Sequence, residues 1–269
     1  MKHIRPAAVA GAFYPARAEI LSQDLADMLA TAQRYVPAQA ALPKALIVPH
    51  AGYVYSGPIA ASAYACLRGG KYRRIVLAGP SHRVAVRGLA LPEADGFATP
   101  LGVVPVDREA IAAVAHLPQV ATNDPAHAQE HSLEVQLPFL QKVLGEFSVV
   151  PLAVGNATAE EVAEVLEYLW GGAETLIVIS SDLSHYLAYD MAKKVDDATA
   201  RAILELRDLV SHDQACGGAP LNGFLLAARR HRLIPELLDL RNSGDTAGDR
   251  SRVVGYGAFA FAEKIEYDH

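Results

Sequence analysis

Three short apolar runs, each ending in small polar residues and a histidine, constrain this chain more than any other feature. They are Ile47-Val48-Pro49-His50, Ile75-Val76-Leu77-Ala78-Gly79-Pro80-Ser81-His82 and Leu176-Ile177-Val178-Ile179-Ser180-Ser181-Asp182-Leu183-Ser184-His185. A continuous β-branched run bounded by turn residues reads as a strand buried on both faces, as in a parallel sheet covered by helices. In an open α/β sheet, ligands bind beyond the carboxyl ends of the strands. The expectation is that His50, His82 and His185, far apart in the chain, meet at one such edge and hold a metal ion.

The segments between these runs supply the helices. Leu21, Leu25, Met28, Leu29 and Ala32 form one apolar stripe at helical spacing. Ser56-Gly57-Pro58 opens a second helix reaching about Leu67, and Asp107 caps a third to about Ala115. Another covers roughly residues 131–144, with Pro138 bending or restarting it. Thr158 and Glu161 make a capping box. Further helices fall at about 191–210 and 221–230. Besides the three runs, strands are expected near 88–91, 102–106, 149–154, 236–240 and 253–262. Residues 1–15 read as an irregular lead-in and 116–130 as a polar loop, with Asn123-Asp124-Pro125 as a turn. Strands alternating with helices imply an α/β fold: a single domain, 1–269, with a mixed, largely parallel central sheet and helices on both faces.

Composition narrows the function classes. Apolar residues at 51% can fill a substantial core. A net charge of −6 and a pI of about 5.9 argue against a nucleic-acid binder and against an anionic membrane surface. No stretch approaches the roughly 20 apolar residues of a membrane span, and the N-terminus lacks an apolar leader core. A cytoplasmic location is the resulting expectation. The two cysteines, Cys66 and Cys216, do not make a disulfide scaffold.

The candidate site contains His50, His82, His185, Asp182 and Cys216, with His131 as a sixth member. Imidazole suits zinc, copper, iron or nickel, and a thiolate favours the softer of these. The chain has neither a CxxC pair nor an HExxH motif, so zinc-finger and metalloprotease readings fail. Cys216 reads as a metal-ligating thiolate before a helix, as a nucleophile with His131 or His185 as base, or as a small core residue. Asp182 reads as an acceptor orienting a ligating histidine or as a turn residue. His131 reads as a substrate-binding or acid/base group, or as a partner of Glu130. Tyr53, Tyr55 and Tyr186 flank the site and either line a pocket or pack. Arg83 is read as a surface residue. His3, His116, His127, His212, His231 and His269 lack the strand-end context and are read as surface or loop residues.

At these residues the chain resembles the MEMO family, whose bacterial and archaeal members are called AmmeMemoRadiSam system protein B. The motifs are Ala10-Gly-Ala-Phe-Tyr-Pro15, His50-Ala-Gly-Tyr-Val-Tyr-Ser-Gly57, Gly79-Pro-Ser-His82, Glu130-His-Ser-Leu-Glu-Val-Gln-Leu-Pro138, Ser180-Ser-Asp-Leu-Ser-His185 and Cys216-Gly-Gly-Ala-Pro220. The resemblance implies a class III extradiol dioxygenase-like fold. It implies a metal held by His50, His82 and Cys216, with iron(II) first and copper(I) or zinc as alternatives. His131, His185 and Asp182 then become catalytic candidates, and Phe13, Tyr53, Tyr55 and Tyr186 substrate-binding candidates. Phe13 stands where eukaryotic members often carry a tryptophan of a peptide-binding surface. The implied activity is dioxygenase-like redox chemistry on a small-molecule or peptide substrate, in partnership with a radical-SAM protein and a third small protein. The alternatives are a non-catalytic partner-binding module and a copper or iron storage protein.

Overall fold

The computed structural model describes residues 3–36 and 41–263. In chain order, the first half contains β1 (Ile4–Arg5), α1 (Ala18–Gln33), β2 (Ala45–Val48), α2 (Tyr53–Tyr64), β3 (Arg74–Pro80), β4 (Leu89–Leu91), β5 (Gly96–Thr99), β6 (Gly102–Pro105), α3 (Arg108–Val114), β7 (Val120–Thr122) and α4 (Asp124–Ala128). The second half contains α5 (His131–Glu134), α6 (Leu137–Val143), β8 (Ser148–Val154), α7 (Ala159–Tyr168), β9 (Thr175–Ser180), β10 (His185–Leu187), α8 (Tyr189–Leu204), α9 (Gly218–Arg230), β11 (Ile234–Asn242) and β12 (Val253–Ala262).

The fold is mixed α/β. A nine-stranded sheet runs β10-β12-β2-β9-β3-β8-β4-β7, with β11 paired to β12. Its centre, β2-β9-β3-β8, is parallel, while β12 and β4 flank it antiparallel. Every residue of β2 and β9 is buried, as expected for apolar runs covered on both faces. Residues from Val9 to Phe261 form one contiguous hydrophobic core. Among the described residues, no helix is long and apolar enough to cross a membrane.

The register sets the site. Val48 lies opposite Ser180, and Ala78 opposite Ile179, so β2, β9 and β3 end almost level. The polar residues that follow each strand therefore emerge side by side, although they come from three distant stretches.

Several elements depart from the sequence expectation, each for a local reason. The second helix begins at Tyr53, not at Ser56, and carries Pro58 inside it. The proline removes only the hydrogen bond to the carbonyl of Val54, a residue 65% exposed to water. Residues 116–130 are not a loop: they contain β7 and α4, because Asn123 caps that helix through Ala126 N and Pro125 suits its first turn. Pro138 begins a new helix, α6. The helix expected to reach residue 210 stops at Leu204, and Leu206 takes a left-handed conformation with φ of 52°. The lead-in contributes β1 to a small separate sheet, β1-β5-β6. His127 is buried, its Nε2 donating to the Ala90 carbonyl at 2.9 Å, so the surface reading of this residue is corrected. His231 stacks on Trp170 with ring centroids 3.7 Å apart. His269 lies outside the described residues.

Candidate metal centre

His50 follows β2 and is 2% exposed. Its backbone N–H donates to Asp182 Oδ1 at 2.7 Å, and its Nδ1 lies 2.9 Å from Ser180 Oγ, so residues at the end of β9 hold both its main chain and its ring. His82 follows β3, and its ring is held by Glu130: Nδ1 lies 2.9 Å from Oε1, and the His82 backbone N–H reaches Oε2 at 2.6 Å. Glu130 is also the N-cap of α5, accepting from Ser132 N. That cap turns the chain so that His131 faces the two strand-end imidazoles.

The donor atoms of His50, His82 and His131 all lie within 4.8 Å of one another. Ring centroids are 5.2 Å apart for His50 and His82, 5.4 Å for His50 and His131, and 4.7 Å for His82 and His131. Cys216 adjoins this group through His50, with Sγ 3.2 Å from Nε2. The sulfur is brought there by Gly217, the N-cap of α9, whose N–H donates to Ser181 Oγ at 3.0 Å. A Cβ on Gly217 would lie 2.7 Å from the Ser181 side chain, so only glycine permits this approach.

The third imidazole of the cluster is thus His131 and not His185, the residue that the strand-end pattern points to. His185 sits on β10, beside β12 at the sheet's end, and its Nδ1 pairs with the Leu183 carbonyl at 2.8 Å. It borders the group and is not a member of it. Asp182 is buried, with Oδ2 4.0 Å from His50 Nε2. Phe13 packs against His131 at 4.7 Å between ring centroids. Its loop is pinned from below by Glu134, which accepts from Ala8 N, Val9 N, Tyr14 Oη and the buried Arg5 guanidinium. Tyr53 is in the core, 7% exposed, with its hydroxyl on the Val135 carbonyl. Tyr55 and Tyr186 are exposed, the latter at φ 59° with the Arg252 guanidinium 5.1 Å from its ring centroid. Cys66 and Cys216 are both free thiols.

Burial favours the neutral forms of His50, His131 and Cys216. Burial, with the neighbouring imidazoles His82 and His131 adding, holds His50 well below the ordinary histidine value. Burial likewise brings His131 down to about 4. Burial pushes the Cys216 thiol up to about 12 and the Asp182 carboxyl up to about 7. Burial alone would also raise Glu130, but hydrogen bonds from His82 and Ser132 prevail and bring it to about 2. The neutral imidazoles of His50 and His131 have lone pairs available, which is what a first-row transition metal requires. The buried Nδ1 of His131 makes no hydrogen bond, although the Glu130 carboxylate stands 3.4 Å from it. The donor set fits a transition-metal ion.

Two residues central to this geometry carried only weak sequence signals. Glu130 reads as ordinary helix-terminus chemistry, and Ser180 as the end of a strand. The signal for Glu130 was its place directly before His131 at a helix start.

A family profile described as Memo-like protein matches residues 5–260. A MEMO1 family protein of Aquifex aeolicus is 35% identical over 274 residues, covering 96% of this chain and 99% of the relative. One from Ignicoccus hospitalis is 36% identical over 284 residues, covering 96% and 98%. Among solved structures, an uncharacterized protein from Escherichia coli K12 covers 79% of this chain and 98% of its own at 13% identity, with a TM-score of 0.48. The matched stretch runs from β1 into β12 and contains His50, His82, His131 and Cys216. The chain belongs to the Memo-like protein family.

Proposed function

We propose that this protein binds a single transition-metal ion at the strand-end cluster and uses it for redox chemistry. Three imidazoles with donor atoms within 4.8 Å of one another carry the reading. His50, His82 and His131 supply nitrogen, and Cys216, beside His50, supplies sulfur as the family resemblance implies. Iron(II) is the first candidate and copper(I) the alternative for redox use; zinc suits the same imidazole and sulfur donors but would bind without redox chemistry. The bound metal would supply an electron-transfer and oxygen-activating centre.

The chain's own residues provide the rest. His82, with its side chain 28% exposed, marks the open side of the cluster, where a substrate enters. Phe13 covers His131 and limits water there. Asp182, raised toward neutrality by burial, can hold or release a proton at Oδ2 close to His50. The whole chain is read as one Memo-like domain, a reading supported by its single contiguous core. Partnership with a radical-SAM protein belongs to this proposal on the resemblance alone and is tested by co-purification.

Metal analysis after anaerobic purification tests the function. Wild type should hold one equivalent and His82→Ala none; absence of any transition metal from wild type defeats the proposal. Comparing His131→Ala with Cys216→Ser identifies which side chain completes the donor set. A second reading, a partner-binding pocket, draws on Val54, Tyr55 and Tyr186, which are 65%, 39% and 64% exposed. It predicts unchanged partner binding in His82→Ala.

A further inference from the structure

A ring nitrogen can ligate a cation only through a lone pair, so the imidazole must keep its proton on the other nitrogen. At His50 the partners of Ser180 determine where that proton is. The Ser180 hydroxyl has one hydrogen, and it goes to the Ser132 carbonyl at 2.6 Å. The same oxygen accepts from Gln136 Nε2 at 2.9 Å. That amide's orientation is fixed because its nitrogen also faces the Pro49 carbonyl at 2.9 Å, which can only accept, while Tyr64 Oη donates to Oε1. With its hydrogen committed, Ser180 Oγ can only accept from His50 Nδ1. His50 is therefore the Nδ1–H tautomer, with its lone pair on Nε2.

An ionised carboxylate is likewise an acceptor only. Glu130 Oε1 faces His82 Nδ1 and Ser132 N, both at 2.9 Å, and Oε2 faces His82 N at 2.6 Å. All three must donate, so His82 is also the Nδ1–H tautomer. Glu130 also caps α5, a helix of four residues, so its role toward His82 is read from the His82 tautomer and not from stability.

We propose that Ser180 and Glu130 are positioning residues that lock the tautomers of His50 and His82 and thereby leave both Nε2 lone pairs free for the cluster these rings form with His131. The role of that lock in ligation rests on the metal-binding reading above; the tautomers themselves do not. Neither residue belongs to the donor group. Ser180→Ala removes the acceptor at His50 Nδ1, freeing the proton to move to Nε2, where the Cys216 sulfur is 3.2 Å away. Glu130→Gln keeps the volume but sets an NH2 group against one of the three N–H donors.

The test is nitrogen-15 NMR of the metal-free protein labelled at histidine, with His50→Ala and His82→Ala spectra giving the assignments. The expected result is a protonated Nδ1 and an unprotonated Nε2 at both residues in wild type. Ser180→Ala should change the pattern at His50 and leave His82 as it is, and Glu130→Gln should change it at His82 and leave His50 as it is; His131, with Nδ1 3.4 Å from Glu130 Oε1, is the other imidazole within reach of the second change. In a cobalt(II) titration, each variant should bind 10–100-fold more weakly than wild type, the usual cost of losing a ligand's hydrogen-bond partner. Protonated Nε2 in wild type overturns the proposal without any variant having to fold, even if cobalt binds tightly. Variants that fold, and whose tautomers and affinities are unchanged, also overturn it. Correct tautomers with no cobalt bound to wild type would defeat the ligation role and the metal reading together.

Discussion

The sulfur of Cys216 lies 3.2 Å from Nε2 of His50, across 166 positions of chain. With the imidazole proton held at Nδ1 by Ser180, the thiol is the donor and Nε2 the acceptor. Burial keeps both groups neutral, lowering His50 and raising Cys216 to about 12. A cation binding at Nε2 would have to replace this contact.

Cys216→Ala leaves a buried Nε2 without a donor, at a cost of about 1–3 kcal/mol. Thermal melts of the metal-free variant should show that loss. For wild type, metal at about 100 times its Kd adds roughly 2.7 kcal/mol. The same metal concentration should stabilise Cys216→Ala by less, because a donor atom is missing.

Asp182 makes part of the stability depend on pH with a definite sign. Burial raises its carboxyl from 3.8 to about 7 in the folded state. Its stabilising contribution is complete below the unfolded value and is lost as pH rises through the folded value. The window is therefore about pH 4 to 7, with at most about 4 kcal/mol involved. His131, lowered from 6.5 to about 4, acts in the opposite sense, losing stability as pH falls through that range. Denaturant titrations of metal-free wild type and Asp182→Asn isolate the aspartate: the variant should gain relative to wild type between pH 4 and 8. A constant difference across that range would refute the assignment.

The Arg5–Glu134 pair is buried, with side chains 5% and 0% exposed. Removing one member of such a pair leaves an uncompensated charge and costs about 3–5 kcal/mol. Arg5→Met should lower stability by that order. It should also loosen the segment that carries Phe13, seen as new proteolytic cleavage before residue 18. Protection equal to wild type would show that the lead-in is held by other contacts.

Gly217→Ala tests the approach of the cysteine. Its φ is −88°, so the backbone conformation suits any residue; the obstacle is the Ser181 side chain 2.7 Å from the new Cβ. Overpacking of this kind costs about 1–3 kcal/mol. The variant should fold and bind metal less tightly because Cys216 is displaced from His50. Wild-type affinity would mean that the sulfur is not a donor.

Hydrophobic patterning revealed the central strands and most helices because those signals are local. The capping box at Thr158 and Glu161 forms as its residue types require. The family motifs imply His50, His82 and Cys216 as one group, and the fold places Cys216 Sγ 3.2 Å from His50 Nε2. Misreadings arose where one local signal serves two structures: Asn123-Asp124-Pro125 can close a turn or begin a helix, and here it begins α4.

The strand-end grammar alone shows that imidazoles will gather at one edge of a parallel sheet, since apolar runs must be buried and the polar residues after them must emerge. Which imidazole completes the group is a tertiary matter. His185 has the right strand-end position, but its ring pairs with Leu183, while His131 is delivered by a helix of four residues. The ring tautomers depend on Ser180, Gln136 and Glu130, groups drawn together from two distant segments. A proton's place on an imidazole follows from which acceptors stand beside it, and only the folded chain puts them there.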